Sequence, residues 1–366
     1  MKVLMITDLC RGYSVTLPER RLFRGLVEKG VDLTVISHWK TPETEEVERS
    51  GIRVIHIPII RKIDFQVILK LRKLIKEEKF DILHLTFGKA ITNGLLASWR
   101  TKTKIVAYLG SLNVHWHDPF AYLSFLNPYI DRLICLSDAV KDHFIRQTGR
   151  RMIKKTVRIY KGYDTEWIKV RKPIEKESLD IPDNAMIICC VAIVRRVKGI
   201  PYLIKAADHL PDNLPIFFIL VGEGMDSDPI KDLIARSKYR NHFRTLGFTN
   251  DVFSYISLCD LYIQPSVTEG LGRSLIEAMC LKKPVIVTDR GGSRELVDEG
   301  DNGYIVPSKS AGAIGEKILL CFNKRDQLPE MGLKAYRKIL DSFNPQIMID
   351  QTFNVYADLL SETHTT

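Results

Sequence analysis

Residues 265–284 read Pro265-Ser-Val-Thr-Glu269-Gly-Leu-Gly-Arg-Ser-Leu-Ile-Glu277-Ala-Met-Cys-Leu-Lys-Lys-Pro284. The short apolar run Leu261–Gln264 enters this stretch and the β-branched run Val285–Thr288 leaves it. Between them, Gly270 and Gly272 break any helix around Glu269, whereas Leu275, Ile276, Ala278 and Met279 surround Glu277 with helix-compatible apolar residues. The pattern predicts strand, glycine-rich turn, helix, strand. Such a turn brings backbone N–H groups and a helix N-terminus to one spot, a device that α/β proteins use to hold anions.

The same alternation runs outward in both directions. Strands are expected at Val3–Thr7, Leu33–Ser37, Val54–Pro58, Ile82–Thr86, Ile105–Leu109, Leu133–Leu136 and Val157–Tyr160, with helices at Pro18–Lys29, Phe65–Glu78, Ala90–Trp99 and Asp138–Gln147. It restarts with strand Met186–Ile193, helix Pro201–His209, strand Ile216–Val221, helix Pro229–Lys238, strand Phe243–Leu246 and helix Val252–Leu258, and ends with helix Ala311–Phe322. Runs such as Asp81–Leu85 and Arg132–Leu136 are almost continuously apolar, as parallel strands covered on both faces should be. A charged, proline-containing run, Arg171–Asp183, is the best linker candidate. We therefore expect two doubly wound domains, 1–168 and 169–345, and a C-terminal segment, 346–366. Ile349, Phe353, Tyr356 and Leu360 form the apolar stripe of a helix there, which should pack back on the first domain.

Composition agrees with a two-domain enzyme: 366 residues, 45% of them apolar, exceed one ordinary core and exclude wholesale disorder. No apolar run approaches the roughly 20 residues that span a bilayer, and Met1–Asp8 looks like a first strand rather than a signal peptide. The seven cysteines show no C-x-x-C spacing, which supports neither a zinc site nor a disulfide framework and suits a reducing cytosol. The net charge of +10 is concentrated in Arg61–Lys79 and Lys141–Arg158. Clusters of this kind suggest a polyanionic partner, whether an anionic membrane surface, nucleic acid or a phosphorylated substrate. The apolar face and cationic rim of Phe65–Lys79 suit a membrane surface, and an ordinary solvated face is the plain alternative.

Two groups could carry chemistry. Arg195-Arg196-Val197-Lys198-Gly199 follows an apolar strand and precedes a helix, where doubly wound sheets bind ligands, and its cations suit phosphate oxygens. Glu269 in the turn and Glu277 within the helix suit pairs of sugar or ribose hydroxyls. The plain alternatives are a solvated basic loop and a helix-terminal charge. An acid among apolar residues, as Glu277 is, would be costly without a task.

Glu269-Gly270-x6-Glu277-Ala278-Met279, the strand Pro284–Thr288 and Gly291-Gly292-x2-Glu295-Leu296 together resemble the nucleotide-sugar site of the retaining family 4 glycosyltransferases, which have the GT-B fold. Val221-Gly222-Glu223-Gly224 and Leu246-Gly247-Phe248 match in order and spacing. The resemblance covers nearly the whole chain and is specific from about Ile188 to Pro307. It implies two Rossmann-like domains facing across a cleft that closes about the linker, and transfer of a sugar from a nucleotide-diphosphate donor to a hydroxyl acceptor with retention. Such transfer serves the synthesis of lipopolysaccharide, exopolysaccharide or other cell-surface glycans.

The resemblance implies residue roles as well. Arg195 and Lys198 would neutralise the diphosphate. Glu269 would hold the donor sugar with the turn Gly270-Leu271-Gly272, Glu277 the ribose, and Gly247 and Phe248 the base. No cofactor and no metal is expected, since the cationic side chains supply the charge. The acceptor would be a glycan, lipid-linked or lipopolysaccharide hydroxyl, bound by the first domain at Gly12, Gly110, Asn113, His115 and His117. The enzyme is expected to be cytoplasmic, on the inner-membrane face. The chain departs from the pattern at Ile193, where many members carry the clamping arginine, and at Leu109, where many carry a histidine before the glycine. The run Asn113–Pro119, with His115 and His117, could rebuild that polar site; packing is its plainer reading.

Asp226-Ser227-Asp228 spells a D-x-D, the mark of metal-dependent transferases, in what reads as a surface loop. A nucleotide-sugar epimerase of GT-B fold, and a non-enzymatic basic nucleotide- or nucleic-acid-binding protein, stand as alternatives. No recognition helix or aromatic-interleaved basic motif favours nucleic acid, so none is expected as a partner. The sequence lacks G-x-G-x-x-G, G-x-x-x-x-G-K-[ST], G-x-S-x-G and H-E-x-x-H motifs, which removes dehydrogenase, P-loop, serine-hydrolase and zincin readings.

Overall fold

The computed structural model describes residues 1–170 and 172–362, apart from the side chains of Tyr13, Ser14, Arg150 and Arg151. Arg171 of the expected linker, residues 363–366 of the C-terminal segment and two basic side chains of 141–158 thus lie outside the described residues. The chain forms two compact units, one of Met1–Gly162 with Phe343–Thr366 and one of Tyr163–Ser342.

The first unit runs β1 (Lys2–Ile6), α1 (Tyr13–Glu28), β2 (Asp32–Ser37), α2 (Pro42–Arg49), β3 (Arg53–His56), α3 (Phe65–Glu78), β4 (Ile82–Leu85), α4 (Gly88–Ser98), β5 (Lys104–Leu109), β6 (Arg132–Cys135), α5 (Asp138–Thr148) and β7 (Thr156–Arg158). The second continues with β8 (Met186–Val191), α6 (Ile200–Ala206), β9 (Ile216–Val221), α7 (Asp228–Ala235), β10 (Phe243–Leu246), α8 (Val252–Leu258), β11 (Leu261–Gln264), α9 (Arg273–Cys280), β12 (Val285–Thr288), β13 (Gly303–Val306), α10 (Ala311–Asn323) and α11 (Leu328–Ser342). The last helix, α12 (Pro345–Ser361), belongs to the first unit.

Among the described residues the first sheet has the order β3-β2-β1-β4-β5-β6-β7 and the second β10-β9-β8-β11-β12-β13. The strand pairs are parallel; Val3, for example, sits between Leu33 and Ile82. Helices shield both faces of the first sheet. Val67, Leu71 and Ile75 of α3 pack with Leu83 and Leu85 on one side, while Phe23, Met348, Ile349 and Tyr356 of α1 and α12 cover Met5 and Ile134 on the other. The central strands are mostly apolar because neither face meets water, whereas the edge strand β3 exposes Arg53 and His56. In each sheet the strand order reverses once, between β1 and β4 and between β8 and β11. Ligands of doubly wound sheets gather beyond the C-terminal strand ends at such a reversal.

Two details correct the sequence reading. The run taken for a linker is tied to the second unit: Lys176 Nζ donates to Ala185 O at 3.3 Å, just before β8, and Arg244 donates to the carbonyls of Leu179 and Asp180. The chain instead passes between units at Gly162/Tyr163 and Ser342/Phe343. Both crossings rest on each other within the first unit. A Cβ on Gly162 would lie 2.4 Å from Pro345 Cα, and the Tyr160 and Phe343 rings stand 4.4 Å apart.

Candidate functional site

The second sheet's reversal point is flanked by the loops after β8 and β11, which hold Arg195–Gly199 and Pro265–Gly272. Backbone bonds lock the two together: Val267 N–H donates to Val197 O at 2.7 Å. Gly199 has φ +69°, and a Cβ there would stand 1.9 Å from Pro265 O, so only glycine permits this approach. On the far side Gly291, φ +80°, presses equally close to Glu269 O, which also accepts from Gly292 N–H at 3.0 Å. The turn carrying Glu269 is thus held by backbone on both sides.

Within it, Lys198 Nζ lies 2.5 Å from Glu269 Oε2. Ser266 Oγ donates to the same oxygen at 3.4 Å. Arg195, three residues before the lysine, is exposed and pairs with no carboxylate among the described residues. Cation and carboxylate therefore share one rim, with the exposed Arg195 on the same loop as the lysine. That arrangement can take a phosphate on the cations and free the carboxylate for hydroxyl donors.

Gly272, φ +99°, caps the N-terminus of α9 and packs on the Gln264 amide, where a Cβ would come within 2.5 Å. Gln264 Nε2 donates to Ser293 Oγ at 2.7 Å and Ser293 Oγ to Leu271 O at 3.1 Å, which fixes the Gly270–Gly272 turn from below. Glu277 lies about one turn into α9 and is 5% exposed. Burial pushes its carboxyl up to about 7, against the pull of Arg273, whose Nε is 3.4 Å away. Burial wins because Arg273 is 44% exposed and solvent screens its charge.

Gly247 and Phe248 follow β10, two strands from β8. Gly222 N–H donates to Leu246 O and Gly247 O, and the Phe248 ring stands 75% exposed. Asp226 of the D-x-D abuts Gly247, while Ser227 and Asp228 open α7. Among the described residues no three of His, Cys, Asp and Glu converge as metal ligands.

The structure brings Lys198, Glu269 and the Gly270–Gly272 turn together and sets Glu277 behind them. In the first unit Gly12, φ +92°, caps α1 beyond β1, and Gly110 follows β5 against the Tyr108 ring. Asn113 is exposed. His115 stacks on His117 at 5.3 Å and meets His143 of α5 edge-on at 5.5 Å. Ser266, Gln264 and Ser293 escaped sequence reasoning; a serine or a strand-end glutamine carries no signal until its partner is known.

Comparison with known proteins identifies the family. A family profile described as Glycosyl transferases group 1 matches residues 171–338, and one described as Glycosyltransferase Family 4 matches 20–167. The glycosyltransferase EpsD of Bacillus subtilis is 24% identical over 352 residues, 92% of this chain and 91% of that protein. A UDP-Gal:alpha-D-GlcNAc-diphosphoundecaprenol alpha-1,3-galactosyltransferase of Escherichia coli is 23% identical over 92% of each chain. The crystal structure of HepE from Anabaena in complex with UDP has the same fold, with a TM-score of 0.80 at 21% identity over 98% of this chain and all of that one. Two doubly wound units, a cation–carboxylate pair at the switch point and two profiles that together span 20–338 leave one assignment: the chain belongs to the family 4, or group 1, glycosyltransferases.

Proposed function

We propose that the chain is a retaining, metal-independent transferase that moves a sugar from a nucleoside diphosphate to an acceptor hydroxyl in cell-surface glycan synthesis. The observation that carries this reading is the Lys198–Glu269 pair beside the exposed Arg195. As the bond to the anomeric carbon breaks, negative charge grows on the leaving diphosphate. Lys198 and Arg195 stabilise that charge where a metal ion would otherwise act. Glu269, with the Gly270-Leu271-Gly272 turn, holds hydroxyls of the sugar, and Glu277 those of the ribose. Gly247 and Phe248 border the base. On this reading the acceptor attacks from the face the diphosphate leaves, and the diphosphate oxygen takes its proton, so no separate base is required.

UDP is the favoured nucleotide, because HepE binds it and the Escherichia coli relative uses UDP-Gal. That relative's diphosphoundecaprenol acceptor favours a lipid-linked or polymeric glycan here, bound beyond the strand ends of the first unit near Gly12, Gly110, Asn113, His115 and His117. No described helix is long and apolar enough to cross a membrane. We place the enzyme in the cytoplasm, peripheral on the inner membrane through 61–79 rather than through 141–158, where Lys155 and Arg158 are engaged within the fold. Thermal stabilisation by UDP-, GDP- and ADP-sugars identifies the donor by mass action. The anomeric configuration of the product, with and without EDTA, tests the rest. Inversion, or activity abolished by EDTA and restored by a divalent cation, refutes it.

A further inference from the structure

The first unit carries an apolar surface that its core does not explain. Helix α3 buries Val67, Leu71 and Ile75, yet Phe65 and Leu69, one turn apart on the outer side, are 79% and 66% exposed. Ile60 precedes them, and Phe120 adjoins from the loop after β5, both more than half exposed. The two segments touch: Lys62 Nζ sits 4.0 Å from the centre of the Phe120 ring. Their presentation is fixed. The Asn93 side chain on α4 accepts from Asp64 N–H at 2.8 Å and donates to the carbonyls of Arg61 and Lys62. Large apolar side chains grouped in this way on a surface mark an interaction site.

The charge around them is mainly positive. Arg61, Lys62 and Lys70 pair with no carboxylate among the described residues. Of the nearby acids, the half-buried Asp64 accepts from the N–H groups of Gln66 and Val67, and Asp118, itself exposed, accepts from Phe120 N–H. The second basic segment differs. Lys155 is spent on the carbonyls of Pro128 and Ile130, and Arg158 pairs with Asp138, so it is the weaker candidate.

We infer that this surface of Ile60, Phe65, Leu69 and Phe120, flanked by Arg61, Lys62 and Lys70, docks on the headgroup layer of an anionic membrane. Aromatic and aliphatic side chains enter the interface while the cations meet lipid phosphates. A second copy fits poorly, because a two-fold contact would set the three cations against their own equivalents. Single-stranded nucleic acid would find stacking partners in the aromatics but none in Ile60 and Leu69. The surface also adjoins the strand ends. Ile59 N–H donates to Nδ1 of His38, directly after β2, and the His38 ring packs on Phe87, which caps α4 after β4. Docking there delivers a lipid-linked acceptor to the strand ends without lifting it from the bilayer. That consequence rests on the transferase reading above, whereas the docking itself does not.

The test is co-sedimentation of the full chain, at low salt, with vesicles of phosphatidylcholine alone and with added phosphatidylglycerol. The protein should pellet with the anionic vesicles and lose binding as salt rises. Phe65→Ser/Phe120→Ser should weaken binding about tenfold or more. Lys62→Glu and Lys70→Glu should each cost at least about fivefold. Lys154→Glu, in the other basic segment, should leave it unchanged. All these side chains are exposed, so unfolding temperatures should match wild type. Transfer to a water-soluble acceptor should also persist in each variant, which separates lost docking from a failed catalytic reading. Wild-type protein that stays in the supernatant overturns the inference. So do variants that pellet like wild type, a solution dimer abolished by the aromatic changes, or retention by single-stranded RNA but not by vesicles.

Discussion

Lys198 Nζ and Glu269 Oε2 stand 2.5 Å apart although 71 positions separate them in the chain. The pair spans the reversal point of the second sheet, one member on the loop after β8 and the other after β11. On the reading proposed above, a donor diphosphate draws the ammonium toward itself and leaves the carboxylate to the sugar. Lys198→Ala should therefore lower kcat by about 10²–10³, as removal of a group that meets developing charge does, and Lys198→Arg should recover part of it. Glu269→Ala should lose most transfer as well. Because each single change strands the other's charge, the double variant should cost less than the two losses combined. Steady-state kinetics on the four proteins checks this, and simple additivity refutes the coupling.

Gly199 and Gly291 brace the same turn from opposite sides. A Cβ at either would meet a carbonyl oxygen at about van der Waals overlap, 1.9 Å and 2.0 Å, at positive φ. Gly199→Ala and Gly291→Ala should each cost about 1–3 kcal/mol of stability and lower activity beyond what unfolding explains. Gly12→Ala is the contrast: positive φ but open space, so strain alone, of about 1 kcal/mol. Chemical denaturation of the three variants ranks them.

Much of this architecture was legible in the chain. Strands Ile216–Val221, Phe243–Leu246, Leu261–Gln264 and Val285–Thr288 fall where their apolar runs placed them, because strands buried on both faces have nothing polar to blur their ends. Helix α2 was not legible: Pro42–Arg49 is mostly charged and hides only Thr44 and Val47, held by the Thr41–Thr44 capping box rather than by an apolar stripe. Strand β13 is four residues long and opens on a glycine, and α11 was passed over although Leu328, Met331, Ala335 and Ile339 form its buried stripe. At the site, Glu269 and Glu277 announced themselves through glycines and apolar neighbours. The direct Lys198–Glu269 contact did not, since it depends on which strands lie side by side. The tether of 172–183 to the second unit was equally hidden, because charge and proline look alike in a linker and in a surface strap.

Helix α12 is fastened to the first sheet by a buried bond, His84 Nδ1 to Tyr356 Oη at 2.5 Å. Burial holds the imidazole neutral, its pKa pushed down to about 3, and leaves His84 Nε2 without a hydrogen-bond partner among the described residues; the residue lines a small, largely apolar cavity. Tyr356→Phe removes the one hydroxyl that satisfies the ring and should cost about 1–3 kcal/mol. Thermal unfolding measures the loss. A variant as stable as wild type would mean that water replaces the hydroxyl at no cost.

Glu277 makes the second unit sensitive to pH. Its carboxyl titrates at about 7 in the folded protein, against an ordinary value of 4.5, because burial disfavours the anion. Between those values the folded state binds more protons than the unfolded one, so stability falls as pH rises. The contribution is fully present below 4.5 and is lost through pH 7. At about 1.4 kcal/mol per tenfold in proton affinity, the limit is roughly 3 kcal/mol. Glu277→Gln should remove this slope, and denaturation midpoints from pH 4.5 to 8 compare the two proteins. Ribose hydroxyls donating to the carboxylate would favour the anion and pull the pKa back down. Donor binding near pH 6.5 should then release a proton in the wild type and none in Glu277→Gln, read as a buffer-dependent enthalpy. Equal proton release in both proteins would place the ribose elsewhere.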